Sequence, residues 1–213
     1  MKIYVDYDTT LINLIDPWIE WVNSSFNVNI KTSDINRWYY LGEEISPDAD
    51  DFWKKDNHYV NKQSIKPFSG AIDFFNNLQS SYGKENVIII SSTRDHHIND
   101  KINHMQYYFN VANEQILLSS KEKHIYTQDG VLIDDYPVHV MEHIHYNNLP
   151  GIIFNENRRF GWSRPENYHL DNNLPVSLSQ YNTLDSLYQD INKQKLSLCL
   201  TYDEILNSLK NIL

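Results

Sequence analysis

The sequence predicts an α/β fold built around a doubly wound parallel sheet. Short apolar runs rich in β-branched residues alternate with segments of helical periodicity, and this alternation is typical of such a sheet. The runs are continuously apolar rather than alternating with polar residues, which indicates strands covered on both faces. Two of the runs, KIYVD near the start of the chain and GVLIDD further on, end in aspartates.

Nine segments are assigned to strands and helices on this basis. The predicted strands are residues 2–5, 87–90, 115–118, 131–133 and 152–154. The predicted helices outside the first long connection are residues 71–82, 99–109, 184–192 and 202–213. The segment 139–145 carries three histidines and is interpreted as a surface helix, because its spacing matches no standard zinc site.

The connection between the first two predicted strands is too long for a single crossover helix. It begins with an amphipathic helical pattern at 14–26, continues into a cluster of aromatic residues, and returns to the sheet through a Pro-Phe-Ser-Gly turn. We therefore expect a core formed by residues 1–15 and 67–213. A small helical cap, residues 16–66, is inserted after the first strand.

Composition narrows the functional classes. The formal net charge of −10 argues against a broad basic face that would grip extended nucleic acid. No apolar run approaches the length of a membrane span, and we expect neither a targeting signal nor a membrane partner. The single cysteine, Cys199, excludes an internal disulfide and fits a cytoplasmic location. Formation of a homodimer is compatible with all of these features.

The aspartates that end the two strands are the candidate functional residues: Asp6 with Asp8, and Asp134 with Asp135. The carboxyl ends of parallel strands share one edge of the sheet, where open α/β folds bind ligands. Converging carboxylates repel one another unless a cation lies among them, and oxygen ligands together with a substrate phosphate suit Mg²⁺. A single Asp-x-Asp is more often a solvated turn. Two such pairs in one chain favour a metal-assisted phosphoryl-transfer site.

The order of the motifs resembles the haloacid dehalogenase (HAD) superfamily of phosphotransferases. DYDTT follows the first strand, Ser91 ends the second, a lysine at 121 or 123 comes next, and the DD pair closes a later strand. The sequence LIDDYP, the cap and the return at 67–71 are most similar to the 5′(3′)-deoxyribonucleotidases and their bacterial and phage relatives. The resemblance covers about residues 1–155.

This resemblance implies a role for each motif residue. Asp6 would be the nucleophile that forms an aspartyl-phosphate, and Asp8 would protonate the leaving alcohol and then activate water. Ser91 would donate a hydrogen bond to a phosphoryl oxygen, and the lysine would act as a cationic clamp. Mg²⁺ would be held by Asp6, the backbone carbonyl of Asp8 and the Asp134-Asp135 pair.

The chain departs from the family pattern at two places, and one assignment stays open. Thr9 stands where Gly is common, and Ser-Ser-Thr-Arg at 91–94 replaces Thr-Ser-Pro. The lysine of the third motif is either Lys121 or Lys123. Lys123 is favoured, because its eleven-residue separation from Asp134 is closer to the spacing in the nucleotidases.

Five residues are predicted to bind the substrate: Ser92, Arg94, Trp38, Tyr39 and Trp53. The first two follow the second strand and so begin near the phosphate. The aromatic side chains offer flat surfaces on which a nucleobase stacks. A cap this short also needs aromatic residues for its own core, so both interpretations of the cluster stay open.

The leading hypothesis is a Mg²⁺-dependent phosphomonoesterase that hydrolyses nucleoside or deoxynucleoside monophosphates through an aspartyl-phosphate. One alternative is a polynucleotide-end phosphatase, which the acidic composition disfavours. The other is a non-catalytic nucleotide-binding protein. Binding alone does not need both a nucleophile and a proton donor, so the intact set of motifs disfavours this alternative.

Overall fold

The computed structural model describes residues 1–54, 65–120 and 122–213. At its centre is a six-stranded, all-parallel sheet with the strand order β3-β2-β1-β4-β5-β6. The strands are β1 (Lys2–Asp6), β2 (Val87–Ser92), β3 (Ile116–Ser119), β4 (Gly130–Asp134), β5 (Gly151–Phe154) and β6 (Leu196–Cys199). The predicted doubly wound parallel sheet is confirmed.

The direction of winding changes between β1 and β4. From β1 the chain builds outwards through β2 to β3, and it then returns to place β4 on the other side of β1. Val5 of β1 lies beside Ile133 of β4 in the sheet register. The residues that follow them, Asp6 and Asp134, therefore emerge together at the carboxyl edge, at the switch point where doubly wound sheets bind ligands.

Six α-helices flank this sheet in the described residues: α1 (Ile15–Phe26), α2 (Ala71–Tyr82), α3 (Ile98–Phe109), α4 (Pro137–Asn147), α5 (Leu184–Asp190) and α6 (Tyr202–Ile212). Helices α1, α3 and α4 each end at an asparagine in the left-handed conformation, Asn27, Asn110 and Asn148, with φ between 49° and 52°. Asparagine tolerates this conformation better than other residues that carry a Cβ. The scattered asparagines of the sequence thus serve in part as helix stops.

The structure corrects two sequence-based assignments. Strand β6 was not predicted, because it is a short edge strand in which Leu198 is half exposed, so the run lacks the signature of a buried strand. Helix α4 is largely buried rather than a surface helix. Its His143 donates from Nε2 to the carbonyl of Pro150, and its Nδ1 lies 2.8 Å from the hydroxyl of Thr127. Burial lowers the pKa of His143 to about 4. A neutral, hydrogen-bonded imidazole is compatible with the interior.

The long connection between β1 and β2 folds as α1 followed by short helical turns at Thr32–Asp34, Leu41–Ile45 and Pro47–Lys54. Residues 55–64 of the predicted cap lie outside the described residues. The chain pairs with itself where it leaves and re-enters the sheet region: the amide of Asn13 donates to Lys66 at 2.8 Å, and the amide of Phe68 donates to Leu11 at 3.0 Å. Both ends of the connection are thereby fixed beside the carboxyl end of β1. None of the helices described is long and apolar enough to span a membrane.

Candidate active site

The chain makes a tight turn directly after β1. The carbonyl of Tyr7 accepts hydrogen bonds from the amides of Leu11 and Ile12, at 3.0 and 3.1 Å. Thr9 adopts a left-handed conformation with a φ of 64° within this turn, which is strained for a β-branched residue. The turn leaves Asp6 buried, whereas the side chain of Asp8 keeps a quarter of its surface exposed.

Three buried carboxylates meet at the carboxyl edge of β1 and β4. Asp6, Asp134 and Asp135 each present an oxygen atom, and these oxygens lie within 4.8 Å of one another. The structure therefore brings three of the four predicted metal-site aspartates together through their side chains. The carboxylate of Asp8 does not belong to this group in the described part of the chain; its predicted contribution was a backbone carbonyl.

Lys123 lies among these carboxylates. It begins the short turn before β4, is 2% exposed, and donates from Nζ to Asp6 Oδ1 at 2.5 Å and to Asp134 Oδ2 at 2.6 Å. The alternative motif residue, Lys121, lies outside the described residues.

The three acidic side chains of the cluster outnumber the single ammonium group of Lys123, and burial together with this imbalance shifts their pKa values. Burial raises the pKa of Asp6 to about 7, with the neighbouring Asp134 also raising it, although Lys123 opposes the shift. Burial and the charges of Asp134 and Asp6 raise the pKa of Asp135 well above its ordinary value. Burial also acts on Asp134, but Lys123 and His139 outweigh it and hold that pKa low. In Lys123 the attraction of the two carboxylates exceeds the effect of burial, so its pKa is raised and the ammonium stays charged.

A divalent cation fits this donor set. The oxygens are buried, converge on one point and carry more negative charge than Lys123 compensates. Mg²⁺ prefers carboxylate oxygens completed by water and substrate phosphate. Asp6, Asp134 and Asp135 are the residues that would hold it.

Other side chains fix these carboxylates in place. The Thr10 hydroxyl lies 3.4 Å from an oxygen of Asp6 and 3.4 Å from one of Asp135, and it accepts from the amide of Asp135 at 3.1 Å. The indole of Trp162 donates to Asp135 Oδ2 at 3.0 Å, and His139 Nδ1 lies 3.0 Å from Asp134 Oδ2. Such outer contacts orient metal ligands.

Trp162 reaches the site because the segment after β5 folds back over it. The preceding residue, Gly161, packs so closely on the cap that an added Cβ would lie 2.2 Å from the carbonyl oxygen of Ile35. Trp162 follows the fifth predicted strand, but the sequence analysis assigned it no role in the site. The glycine at position 161 was a signal in the sequence that the backbone comes close to another segment there, but it did not indicate which segment.

The end of β2 contributes a polar group beside Asp8. Ser91 is buried, and its hydroxyl donates to Asp8 Oδ2 at 3.2 Å. Lys101 of α3 also donates to Asp8 Oδ2, and to the carbonyl of Ser92 at 2.6 Å. Lys101 was not among the predicted site residues. Its position on the same helical face as His104, Met105 and Phe109, all buried, was the available signal, since a lysine on such a face needs a partner.

A cavity of about 870 Å³ opens from Asp8 towards the cap. The five predicted substrate-binding residues all line it: Ser92, Arg94, Trp38, Tyr39 and Trp53. Trp38 stacks on Tyr136 with ring centroids 4.5 Å apart and meets Trp162 edge-on at 5.5 Å. Trp53 packs edge-on against Trp18 at 5.0 Å. The aromatic residues thus take part in packing and also form the cavity wall.

Solved structures of known proteins share this fold. A HAD family hydrolase from Deinococcus radiodurans, with bound phosphate and sodium, matches with a TM-score of 0.58 at 14% identity, over 99% of this chain and 95% of that one. A hydrolase from Pseudomonas syringae matches with a TM-score of 0.53 at 11% identity, over 100% of this chain and 99% of that one. No curated protein matches the chain. At these identities the likeness of the solved structures concerns the fold.

A sheet of this order, with strand-ending aspartates around a buried lysine, is the fold of the HAD-type hydrolases. The model of the family described as "5' nucleotidase, deoxy (Pyrimidine), cytosolic type C protein" matches residues 1–176. The chain belongs to this family, and the resemblance read from the motifs is confirmed.

Proposed function

We propose that this phosphatase hydrolyses nucleoside or deoxynucleoside monophosphates with the help of Mg²⁺. The observation that carries the proposal is a large cavity lined by aromatic residues that begins at Asp8, two residues after the buried Asp6, and includes Trp162, which is hydrogen bonded to Asp135 of the carboxylate cluster. The cluster suits a phosphate and a divalent cation, and the cavity suits a flat leaving group such as a nucleoside. The family description supports the same substrate class. It also supports a cytoplasmic location, which we propose with it.

In the proposed mechanism, a carboxylate oxygen of Asp6 attacks phosphorus and the bond to the leaving oxygen breaks. Asp8, which takes up a proton when the substrate binds, gives this proton to the departing alkoxide. Water then attacks the phosphorus of the aspartyl-phosphate, the bond to Asp6 breaks, and Asp8 takes the proton of the water. Mg²⁺, when bound, neutralises charge on the transferring phosphoryl group.

The remaining residues prepare the site for these steps. Lys123 places a permanent positive charge next to the attacking carboxylate, where it stabilises a phosphoryl group that carries negative charge. Ser91 holds Asp8 and supplies a hydroxyl at the phosphate end. Ser92 and Arg94 line the cavity near this end, and we propose that they contact the substrate.

We propose that residues 16–66 act as a cap that covers the leaving group. The pairing of the outgoing and returning chain at residues 11–13 and 66–68 supports these boundaries. Trp38, Tyr39 and Trp53 would supply the surface on which the base rests. Closure over the site would exclude water from the first step.

Substrate profiling with the Asp6→Asn variant as a control tests the function. The wild type should hydrolyse nucleoside monophosphates with Mg²⁺, lose activity in EDTA and not regain it with Ca²⁺, which prefers more ligands at longer distances. Asp6→Asn should fold and lose turnover by several orders of magnitude. Hydrolysis of 3′-phosphorylated oligonucleotides in preference to mononucleotides would favour a polynucleotide-end phosphatase. Full activity of Asp6→Asn would remove the nucleophile from the mechanism.

A further inference from the structure

Lys101 is a buried lysine that points into the active site from outside the four sequence motifs. It lies on α3, is 1% exposed, and borders the same cavity as Asp8 and Ser92. Lysine is almost never fully buried unless its charge is compensated. The compensation comes from the carboxylate of Asp8, to which its ammonium group is hydrogen bonded.

The contacts of Lys101 determine the orientation of Asp8. Lys101 and Ser91 both donate to the same oxygen, Oδ2. The ammonium is itself anchored by the carbonyl of Ser92, at 2.6 Å. One carboxylate oxygen is therefore held by donors from β2 and α3, which restricts rotation of the Asp8 side chain.

We propose that Lys101 is a positioning residue that orients Asp8 for proton transfer to the leaving group and from water. The proposal deepens the function proposed above and rests on it, because it requires Asp8 to be the proton donor and acceptor. Proton transfer by a positioned side chain contributes about 10²–10⁴-fold to rate and needs hydrogen-bond distance to the reacting atom. A carboxylate that rotates freely loses much of this contribution.

A different role would be direct contact between Lys101 and the substrate phosphate. The two roles make different predictions. A phosphate ligand acts on every phosphomonoester and on inorganic phosphate, whereas a residue that orients the proton donor matters most for poor leaving groups. A nucleoside alkoxide leaves only with a proton, while p-nitrophenolate leaves without one.

The test compares dUMP with p-nitrophenyl phosphate in the wild type, Lys101→Met, Lys101→Arg and Asp8→Asn. The ratio kcat/KM reports the steps up to release of the alcohol. In Lys101→Met, kcat/KM for dUMP should fall about 100-fold and that for p-nitrophenyl phosphate less than tenfold. The inhibition constant of inorganic phosphate should stay within threefold of the wild type. Lys101→Arg should recover part of the loss, because it restores a charged donor.

A second readout follows the hydrolysis of the phosphoenzyme. With p-nitrophenyl phosphate, Lys101→Met should show a burst of p-nitrophenolate approaching one equivalent of enzyme, since formation of the aspartyl-phosphate continues while its hydrolysis slows. Lys84→Met, which removes an exposed charge before β2 at the opposite edge of the sheet, should behave as the wild type. If Lys101→Met does not fold, Lys101→Gln removes the charge but keeps a weaker N–H donor, and it should show the same dependence on the leaving group with a smaller loss.

Equal losses on both substrates, or a raised inhibition constant for phosphate, would overturn the positioning role of Lys101. The Asp8→Asn variant separates this result from failure of the underlying mechanism. If Asp8→Asn discriminates between the two substrates and Lys101→Met does not, only the inference about Lys101 fails. If Asp8→Asn itself shows no dependence on the leaving group, the proposed acid is wrong and the inference fails with it.

Discussion

Replacing Lys123 with methionine tests the electrostatic basis of the site. The side chain is almost entirely buried and contacts Asp6 and Asp134 at 2.5 and 2.6 Å. Methionine fills a similar volume but carries no charge, so two buried carboxylates lose their cation. Breaking a buried ion pair by removing one partner costs about 3–5 kcal/mol. We expect this loss in the free energy of unfolding at pH 8 without metal, where Asp6 is ionised.

Urea unfolding in EDTA and in saturating Mg²⁺ measures the effect. Mg²⁺ should restore part of the stability of Lys123→Met, because the ion supplies positive charge to the same carboxylates, but it should not restore turnover. The exposed-site variant Lys84→Met is the matched control. A decrease of less than about 1 kcal/mol in the free energy of unfolding of Lys123→Met in EDTA is what an exposed ion pair would give. That result would show that Lys123 does not neutralise the buried carboxylates.

Three further predictions follow from the same geometry. In metal-free protein, Asp6 contributes stability below its ordinary pKa of 3.8 that is lost as the pH rises to about 7, its pKa in the folded protein. His143, with its pKa lowered to about 4, acts in the opposite direction over this range, so the test is the difference in the free energy of unfolding between the wild type and Asp6→Asn, which should decline from pH 4 to 8; a difference that rises contradicts the prediction. Trp38→Ala should lower kcat/KM for nucleotides by about tenfold to a hundredfold more than for p-nitrophenyl phosphate, if the indole stacks on the base; equal losses with a lower Tm would make Trp38 a packing residue of Tyr136. Thr9→Gly should raise Tm by about 2–4 °C. It relieves about 1–3 kcal/mol of backbone strain at the positive φ of residue 9, while the greater freedom of glycine in the unfolded chain costs about 0.5–1 kcal/mol. Thr9→Ala keeps the Cβ and should give little of this gain in Tm.

The sequence predicted the parts of the site that depend on strand ends. Asp6 and Asp134 could be placed on one edge because both end apolar runs, and parallel strands align their carboxyl ends. Lys101 could not be paired with Asp8 in this way, because 93 residues separate them and only the docking of α3 on the sheet brings them together. The hydrogen bond from Trp162 to Asp135 could not be predicted for a similar reason, since Trp162 reaches Asp135 through an irregular segment without periodicity.

Strand β6 shows a second limit of pattern reasoning. It pairs only with β5, and Leu198 points partly to solvent. A continuous apolar run indicates a strand that is covered on both faces. An edge strand with an exposed leucine lacks this sequence pattern and is therefore hard to predict. Helix α4 shows the opposite error, since its three histidines suggested a surface, although His143 is buried and hydrogen bonded.

The stacking of Trp38 on Tyr136 has a consequence for anyone who wishes to redesign this enzyme. Tyr136 directly follows Asp135 in the chain, and Trp162, which meets Trp38 edge-on, is hydrogen bonded to Asp135 itself. Trp38 and Trp162 of the cavity wall are therefore connected to the carboxylate cluster through Tyr136 and Asp135. A library that varies the cavity wall at Trp38 removes a packing partner of both Tyr136 and Trp162, so metal affinity has to be measured together with selectivity. Trp53, which borders the same cavity but packs against Trp18, is the better position at which to alter substrate choice while the catalytic centre is preserved.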